Sequence, residues 1–175
     1  MITINMNNFK TITSNIYNNL MDKLQLWSIP CPCCHHKGCL IKHGHYERTV
    51  KAISGTVKLS VLRVKCNSCG HTHAILPESL IPYSQLPFDV QQTVLCFPFN
   101  SKQVQDILNS NYDITESDIS YVKTVFRRSW KERLRSMGID CSLDPFTLFS
   151  KCYSSFLMQF MQNRRGVYFF LPAPT

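Results

Sequence analysis

Two cysteine pairs constrain this chain more than any other feature of its sequence. Cys31 and Cys34 form a C-x-x-C pair, and Cys66 and Cys69 form a second one, with 31 residues between the pairs. A C-x-x-C turn places two thiolates on one side of an ion, and a second turn supplies the two that complete the tetrahedron zinc prefers. The spacing therefore predicts one structural Zn²⁺ ion held by these four cysteines.

The choice of ligands in the first cluster is open on sequence grounds. Cys33 and Cys39 lie beside the first pair, and all six histidines fall between residues 35 and 73. Any of these side chains could replace a cysteine as a ligand. A thioredoxin-like redox role is a poorer account, because no strand–helix–strand pattern surrounds Cys31 and the second pair would be unexplained.

The segment between the pairs has the pattern of a β-hairpin. Apolar residues occupy alternate positions over 56–61, and the run 62–66 continues on the opposite parity, which predicts a bulge or a sharp twist. Ser54-Gly55 is a turn signal, and residues 46–53 are the expected partner strand. Two cysteine knuckles flanking a hairpin make a zinc ribbon, a unit so small that metal binding must supply folding free energy.

Several stretches of this segment carry a family resemblance. They are Cys31-Pro-x-Cys34, then His43-Gly-His-Tyr-Glu-Arg48, then the run from Leu62 to His73, and then Leu76-Pro-Glu-Ser-Leu-Ile-Pro-Tyr83. Together they resemble the N-terminal zinc ribbon of bacterial insertion-sequence transposases and of a related family of short, uncharacterised bacterial proteins. The resemblance implies that the four cysteines are the ligands, and that the ribbon and a following helix-turn-helix hold DNA. Cys33 departs from the family pattern.

The charge distribution agrees with a polyanionic partner. The chain has a net charge of +8, and residues 31–76 carry seven basic side chains against Glu47 alone, whereas residues 77–113 are net acidic. Basic side chains near phosphates release counterions and so favour binding. Within the ribbon the predicted nucleic-acid contacts are Arg48, Arg63 and Lys65.

Three helices are predicted after the ribbon. The first covers 88–96, the second opens at a capping-box pattern at Asn100-x-x-Gln103, and the third runs from Thr115-x-x-Asp118 to about Ser136. A short helix followed by a turn and a longer basic helix is typical of a helix-turn-helix. A solvated basic face on a packing helix is the alternative. The predicted phosphate contacts on the third helix are Lys123, Arg127, Arg128, Lys131 and Arg135.

These patterns predict an α+β fold in which a zinc ribbon precedes an α-helical, helix-turn-helix-like region. An amphipathic helix is expected within residues 1–28, with Phe9, Ile12, Ile16, Leu20, Leu24 and Trp27 on its apolar stripe. The ribbon follows over 29–76, a proline-rich linker over 77–87 and the helical region over 88–138. Residues 139–175 are expected to contain an aromatic-rich helix, which begins at Asp144-Pro145, and a tail with a short strand-like run from Val167 to Leu171.

Function is expected to be binding rather than catalysis. About ninety residues follow the linker, too few for the carboxylate-metal domain of a transposase, and their acidic residues lie mostly at helix starts and surfaces. We expect a zinc-dependent protein that binds double-stranded DNA, an accessory protein, regulator or non-catalytic transposase fragment of a mobile element. A protein-interaction module and an RNA-binding ribbon are the alternatives.

Further expectations concern partners and location. A second copy of the chain or a mobile-element protein is the expected protein partner, and no small-molecule substrate is indicated. Neither a signal peptide nor an apolar run of membrane-spanning length is present in the sequence. A cytoplasmic protein, associated with the nucleoid through DNA, is therefore expected.

Overall fold

The computed structural model describes residues 1–4, 12–136 and 138–156 of the chain. They divide into two units, the first comprising residues 1–50 and 57–78 and the second comprising residues 51–56 together with the chain from residue 79 onward. The expected strand-like run from Val167 to Leu171 and the expected stripe residue Phe9 lie outside the described residues. The fold is α+β, as predicted, with strands concentrated in the first unit and helices in the second.

A four-stranded sheet organises the first unit. Its strands are β1 (Ile2–Ile4), β2 (Leu40–Ala52), β3 (Gly55–Cys66) and β4 (Thr72–Pro77), in the order β1-β4-β3-β2. β1 is parallel to β4, and β3 is antiparallel to β4. β2 begins six residues before the predicted strand 46–53. The sequence did not indicate this first part of the strand, because residues 41–47 of this edge strand are all exposed and show no apolar alternation.

The predicted change of phase in β3 is confirmed. Leu59 and Val61 are buried on one parity, Val64 and Cys66 on the other, and the consecutive residues Val61 and Leu62 are both buried. Because successive strand residues point to opposite faces, two adjacent buried residues mark the place where the strand changes the face that it presents to the core.

Helix α1 (Ser14–Lys23) falls within residues 1–28, as expected, but it ends before Leu24 and Trp27, the last two residues of the predicted stripe. The Thr13 hydroxyl caps it by accepting from the Ile16 amide at 3.2 Å. The predicted apolar stripe is wrong in its centre: the helix buries Tyr17 and Met21, one position away, while Ile16 and Leu20 are only half-buried. Trp27, the last residue of the predicted stripe, is 67% exposed.

The second unit contains the predicted helices. They are α2 (Phe88–Cys96), α3 (Lys102–Ser110), α4 (Glu116–Val125), a π turn (Phe126–Trp130), α5 (Lys131–Ser136) and α6 (Pro145–Phe156). The capping box of Thr115 and Asp118 is present as predicted. The cap of α3 is Ser101 rather than the predicted Asn100, and its hydroxyl accepts from the Val104 amide.

The π turn explains why residues four apart stay on one face between α4 and α5. The Lys131 amide donates to the carbonyl of Phe126, five residues earlier. Residues four apart in an α-helix drift by about 40° around the axis, and the wider π turn offsets this drift. As a result Phe126, Trp130 and Leu134 all pack in the core of this unit, and Phe126 stacks on Phe149 of α6 with ring centroids 6.0 Å apart.

The proline-rich stretch 77–87 is more firmly packed than a linker. Leu80, Ile81 and Leu86 are buried, and the Gln91 side chain donates to the Leu86 carbonyl at 2.9 Å. The second unit therefore includes nearly all of this stretch. No helix in the described part of the chain is long and apolar enough to span a bilayer.

Candidate metal centre

The two cysteine pairs lie in loops with the same backbone hydrogen bonds. In the first loop, the Cys31 amide donates to the His36 carbonyl at 2.9 Å, and the His35 amide donates back to the Cys31 carbonyl at 2.8 Å. These bonds close the chain around the C-x-x-C sequence. They also fix the directions in which the cysteine side chains leave the backbone.

The second loop repeats the pattern with different residues. The Cys66 amide donates to the His71 carbonyl at 2.9 Å, and the Gly70 amide donates to the Cys66 carbonyl at 2.8 Å. Gly70 has φ +75°, and its counterpart His35 has φ +60°. Both loops thus need a left-handed residue directly after the second cysteine, a conformation that glycine adopts without a Cβ penalty and histidine adopts less easily.

The loops bring four sulfur atoms together. The Sγ atoms of Cys31, Cys34, Cys66 and Cys69 all lie within 4.8 Å of one another. The Cys31–Cys69 separation is 3.7 Å and the Cys34–Cys66 separation is 3.6 Å. A tetrahedron with zinc–sulfur bonds of about 2.3 Å has edges of about 3.8 Å. The spacing of the sulfurs therefore fits a tetrahedral metal ion with four thiolate ligands.

Electrostatics also favour a cation at this position. Burial would raise the pKa of the Cys66 thiol, but the hydrogen bond from the Cys69 amide and the contacts with the neighbouring thiols outweigh it and hold the pKa at about 6. The pKa of Cys69 is raised instead, because burial and the neighbouring thiols outweigh the hydrogen bond from the His71 amide. Deprotonation of one thiol thus makes deprotonation of its neighbours less favourable. Four adjacent thiolates therefore need a cation between them to offset their repulsion.

The side chains left open as alternative ligands have distinct positions. Cys39 is buried and lies outside the group of four: its thiol donates to the His36 carbonyl at 3.0 Å, and its Sγ lies 3.3 Å from Cys66 Sγ. Cys33 is exposed, and its Sγ lies 3.5 Å from Nδ1 of His71. His73 is buried, with Nε2 at 3.4 Å from Cys31 Sγ. The sequence left His73 open as one of six possible histidine ligands, and only the tertiary fold brings this residue of β4 against the first loop.

One comparison with known proteins identifies a family. The model of a family described as a domain of unknown function, DUF6431, matches residues 31–120, just over half of the chain. The chain belongs to the DUF6431 family. Neither the curated proteins nor the solved structures yield a significant match to it.

The DUF6431 region contains the whole candidate metal centre and part of the helical unit. All four clustered cysteines lie inside it, as do β2 to β4, α2 and α3. The region ends within α4, so the basic residues predicted on the remainder of that helix and on the π turn and α5 lie beyond it. The family description assigns no activity, and function must be argued from the site.

The basic residues predicted in the first unit differ in exposure. Arg63 and Lys65 are exposed on β3, and Arg63 donates to the Thr72 hydroxyl at 3.3 Å. Arg48 on β2 is half-buried and hydrogen bonded to the side chain of Tyr46. Arg63 and Lys65 are thus freer to reach a ligand than Arg48 is.

The basic residues predicted in the second unit lie along the continuous helical segment from α4 to α5. Arg127, Arg128 and Arg135 are exposed, whereas Lys123 and Lys131 are half-buried. Most of them come directly after a core residue in the sequence, so they lie beside the apolar face of the helix rather than on it. This placement leaves a basic surface along the helix without interrupting its apolar face.

The start of α4 carries a charge pair that the sequence did not indicate. Lys51 Nζ lies 2.9 Å from Asp118 Oδ2, and the same oxygen accepts from the Thr115 amide. The pKa of Asp118 is lowered, because these hydrogen bonds and the lysine charge outweigh its burial. Lysine therefore neutralises one of the acidic side chains at the beginning of this helix.

Proposed function

We propose that this DUF6431 protein is a zinc-dependent DNA-binding protein that combines a zinc ribbon with a helix-turn-helix. The four-cysteine cluster is the observation that carries the proposal. Four thiolates fill every position of a tetrahedral ion, which leaves no open position for substrate, and such closed sites are structural. The protein would accordingly act by binding rather than as an enzyme.

Zinc is the metal that this site suits best. A tetrahedral set of four sulfurs selects zinc or an iron centre among the common metals, and zinc needs no redox partner. Metal analysis of the purified protein distinguishes them, since a ferric tetra-thiolate centre absorbs visible light and zinc does not. We expect one equivalent of zinc at this site, and colour with equimolar iron would contradict the assignment.

The basic surfaces support DNA as the partner. Exposed Arg63 and Lys65 on β3 can contact phosphates. On the helical segment the exposed Arg127, Arg128 and Arg135 can do the same, and the half-buried Lys123 and Lys131 belong to the same basic surface. In the helical unit, α3 and α4 are separated by the five residues 111–115, and α4 presents exposed Ser117, Ser120 and Tyr121. Short polar side chains of this kind can contact base edges when such a helix enters the major groove.

The biological setting proposed is a mobile element. The protein would be an accessory protein, a regulator or a transposase fragment without catalytic residues, located in the cytoplasm with the DNA it binds. A homodimer or a second mobile-element protein would provide the protein contacts. This part of the proposal rests on the resemblance of the cysteine-containing segment to transposase zinc ribbons.

Salt dependence of binding tests the DNA proposal. Zinc-loaded protein would be titrated against a random duplex pool at several salt concentrations, and bound sequences recovered at the lowest. The triple variant Lys123→Ala, Arg127→Ala, Lys131→Ala should weaken binding to all sequences and flatten the logarithmic salt slope by about 2 to 3, near 0.9 for each lost phosphate contact.

A matched control uses basic residues outside the proposed surface. Lys102 is exposed in the net-acidic part of the chain, at the first position of α3. Lys102→Ala should leave the slope unchanged. If the triple variant also leaves it unchanged, the helix carries only a solvated basic face.

The alternatives give different outcomes in the same assay. Tighter binding to single-stranded RNA than to duplex DNA would identify an RNA-binding protein. Absence of binding at low salt would favour a protein-interaction module, for which the exposed side chains of Trp27 and Phe146 are the first candidates.

A further inference from the structure

A second group of metal-binding side chains borders the four-cysteine cluster. It consists of Cys33, His71 and Cys69, whose Sγ, imidazole nitrogen and Sγ all lie within 4.8 Å of one another. Cys33 and His71 are exposed, whereas Cys69 is half-buried and belongs to both groups. The second group is therefore the solvent-facing side of the same centre.

The distances in this group suit a metal ion. Cys33 Sγ and His71 Nδ1 are 3.5 Å apart. For zinc with a bond of about 2.3 Å to sulfur and about 2.05 Å to nitrogen, a tetrahedral angle places the two ligand atoms about 3.5 Å apart. Cysteine and neutral imidazole are both good ligands for zinc and other soft or borderline ions.

The charge of the first centre would favour a second cation. A divalent ion with four thiolates keeps a net charge of minus two, so another divalent ion beside it is attracted rather than repelled. Thiolates have additional lone pairs, and Cys69 Sγ can bridge two ions. The thiol of Cys33 then supplies a fifth thiolate, and the pair of ions with five thiolates carries a net charge of minus one.

The extra thiol belongs to one loop only. Cys33 is the third residue of the first C-x-x-C sequence, and the corresponding residue of the second sequence is Ser68. The two loops share their backbone hydrogen bonds, so this substitution distinguishes them chemically. A soft-metal site can thus form on the Cys33 side through the chain's own residues.

We propose that Cys33 Sγ, His71 Nδ1 and a bridging Cys69 Sγ bind a second, exchangeable divalent zinc ion on the exposed face of the centre. The proposal rests on the tetra-thiolate zinc site of the proposed function. Three protein ligands leave one position to water. Because two of these ligands are exposed, the second ion should bind more weakly and exchange faster than the first.

Zinc stoichiometry tests the proposal. The full chain is titrated with zinc, and the bound metal is counted by native mass spectrometry and by competition with a chromophoric chelator. The unsubstituted protein should bind one tight and one weaker equivalent. Cys33→Ser and His71→Ala should each lose the weaker equivalent and keep the tight one, which also shows that the fold is intact. The backbone carbonyl of His71 that accepts from Cys66 is unaffected by either change.

A matched control separates this site from general surface binding. His45 is an exposed histidine on β2, and His45→Ala should retain both equivalents. Saturation of the unsubstituted protein at one equivalent would overturn the second site and leave the first. Retention of the weaker equivalent in both Cys33→Ser and His71→Ala would show adventitious binding and also overturn it. Absence of any tight zinc would overturn the tetra-thiolate centre itself.

Discussion

The Tyr17 hydroxyl lies 2.9 Å from the Leu62 amide nitrogen and accepts its hydrogen bond in the buried interior of the first unit. The same hydroxyl donates to the Ile75 carbonyl at 2.9 Å. Leu62 is the residue at which β3 changes its buried face. One side chain of α1 therefore satisfies the polar backbone groups of two adjacent strands at the point where their regular pattern changes.

Tyr17→Phe should destabilise the protein. It removes both hydrogen bonds and leaves a buried amide and a buried carbonyl without this partner, at a cost of about 2 kcal/mol or more. Urea unfolding of the zinc-loaded protein measures the change in the free energy of unfolding. Tyr112→Phe is the control, because Tyr112 is 93% exposed and its loss should be close to neutral. Equal effects of the two substitutions would contradict the role assigned to Tyr17.

The same hydroxyl should titrate far above an ordinary tyrosine. Burial raises the pKa of Tyr17 to about 12, in spite of the hydrogen bond from the Leu62 amide. Because the folded pKa exceeds the unfolded value of about 10, the stabilisation is complete below pH 10 and is lost as the pH rises towards 12. Ultraviolet absorbance of phenolate should show one late-titrating tyrosine, absent from Tyr17→Phe; identical curves for the two proteins would be the contrary result.

The two cysteine loops should respond oppositely to changes at their left-handed residues. A Cβ in the left-handed conformation costs about 1–2 kcal/mol, and His35→Gly removes this cost. The greater backbone entropy of unfolded glycine offsets part of the effect, so the free energy of unfolding should rise by up to about 1 kcal/mol. Gly70→Ala should lose about 1 kcal/mol or more. An added Cβ at Gly70 meets no atom within 4 Å, so the loss would be conformational. Thermal unfolding at saturating zinc measures both, and a gain from Gly70→Ala would refute the loop comparison.

The Lys51–Asp118 pair should contribute measurable coupling. Both side chains are partly shielded, at 18% and 26% exposure, and the pair joins residues 67 positions apart in sequence. A double-mutant cycle with Lys51→Ala and Asp118→Ala should give about 0.5–1 kcal/mol. Asp118→Ala alone should cost more, about 1–2 kcal/mol, because it also removes the partner of Thr115 in the capping box. Additive single effects would show that the ion pair contributes nothing.

Cysteine substitutions should separate the four proposed zinc ligands from the neighbouring Cys39. Cys34→Ser should lose tight zinc and unfold the sheet unit, because metal binding and folding are coupled in so small a unit. Cys39→Ser should keep tight zinc, since Cys39 lies outside the group of four sulfurs and its thiol donates to the His36 carbonyl. Zinc release by a chelator, followed by circular dichroism, reports both effects. Loss of tight zinc from Cys39→Ser would show that Cys39 is a ligand.

Local sequence signals predicted the elements that depend on nearby residues. The bounds of α2, the capping box of α4 and the start of α6 after Asp144 all follow from short-range side-chain and backbone chemistry. The phase change in β3 could also be predicted, because apolar residues alternate along the strand on each side of it. Each of these features is decided within a few residues of the chain.

Features that depend on distant contacts were missed or misplaced. The full length of β2 could not be predicted, because the strand lies at the edge of the sheet and its exposed stretch has no alternating apolar pattern. The predicted buried face of α1 was wrong by one position. The helix turns Tyr17 inward instead of the neighbouring Ile16, because the tyrosine hydroxyl bonds backbone groups of β3 and β4.

The sequence by itself determined the α+β class, the cysteine set that can hold a metal and the helices of the second unit, because spacing, caps and periodicity act over a few residues. Only the tertiary structure decided that Cys33 and His71 meet beside Cys69, and that His73 lies against Cys31. These residues come from loops and strands more than thirty positions apart. Their proximity follows from how the chain folds back on itself, which no local pattern records.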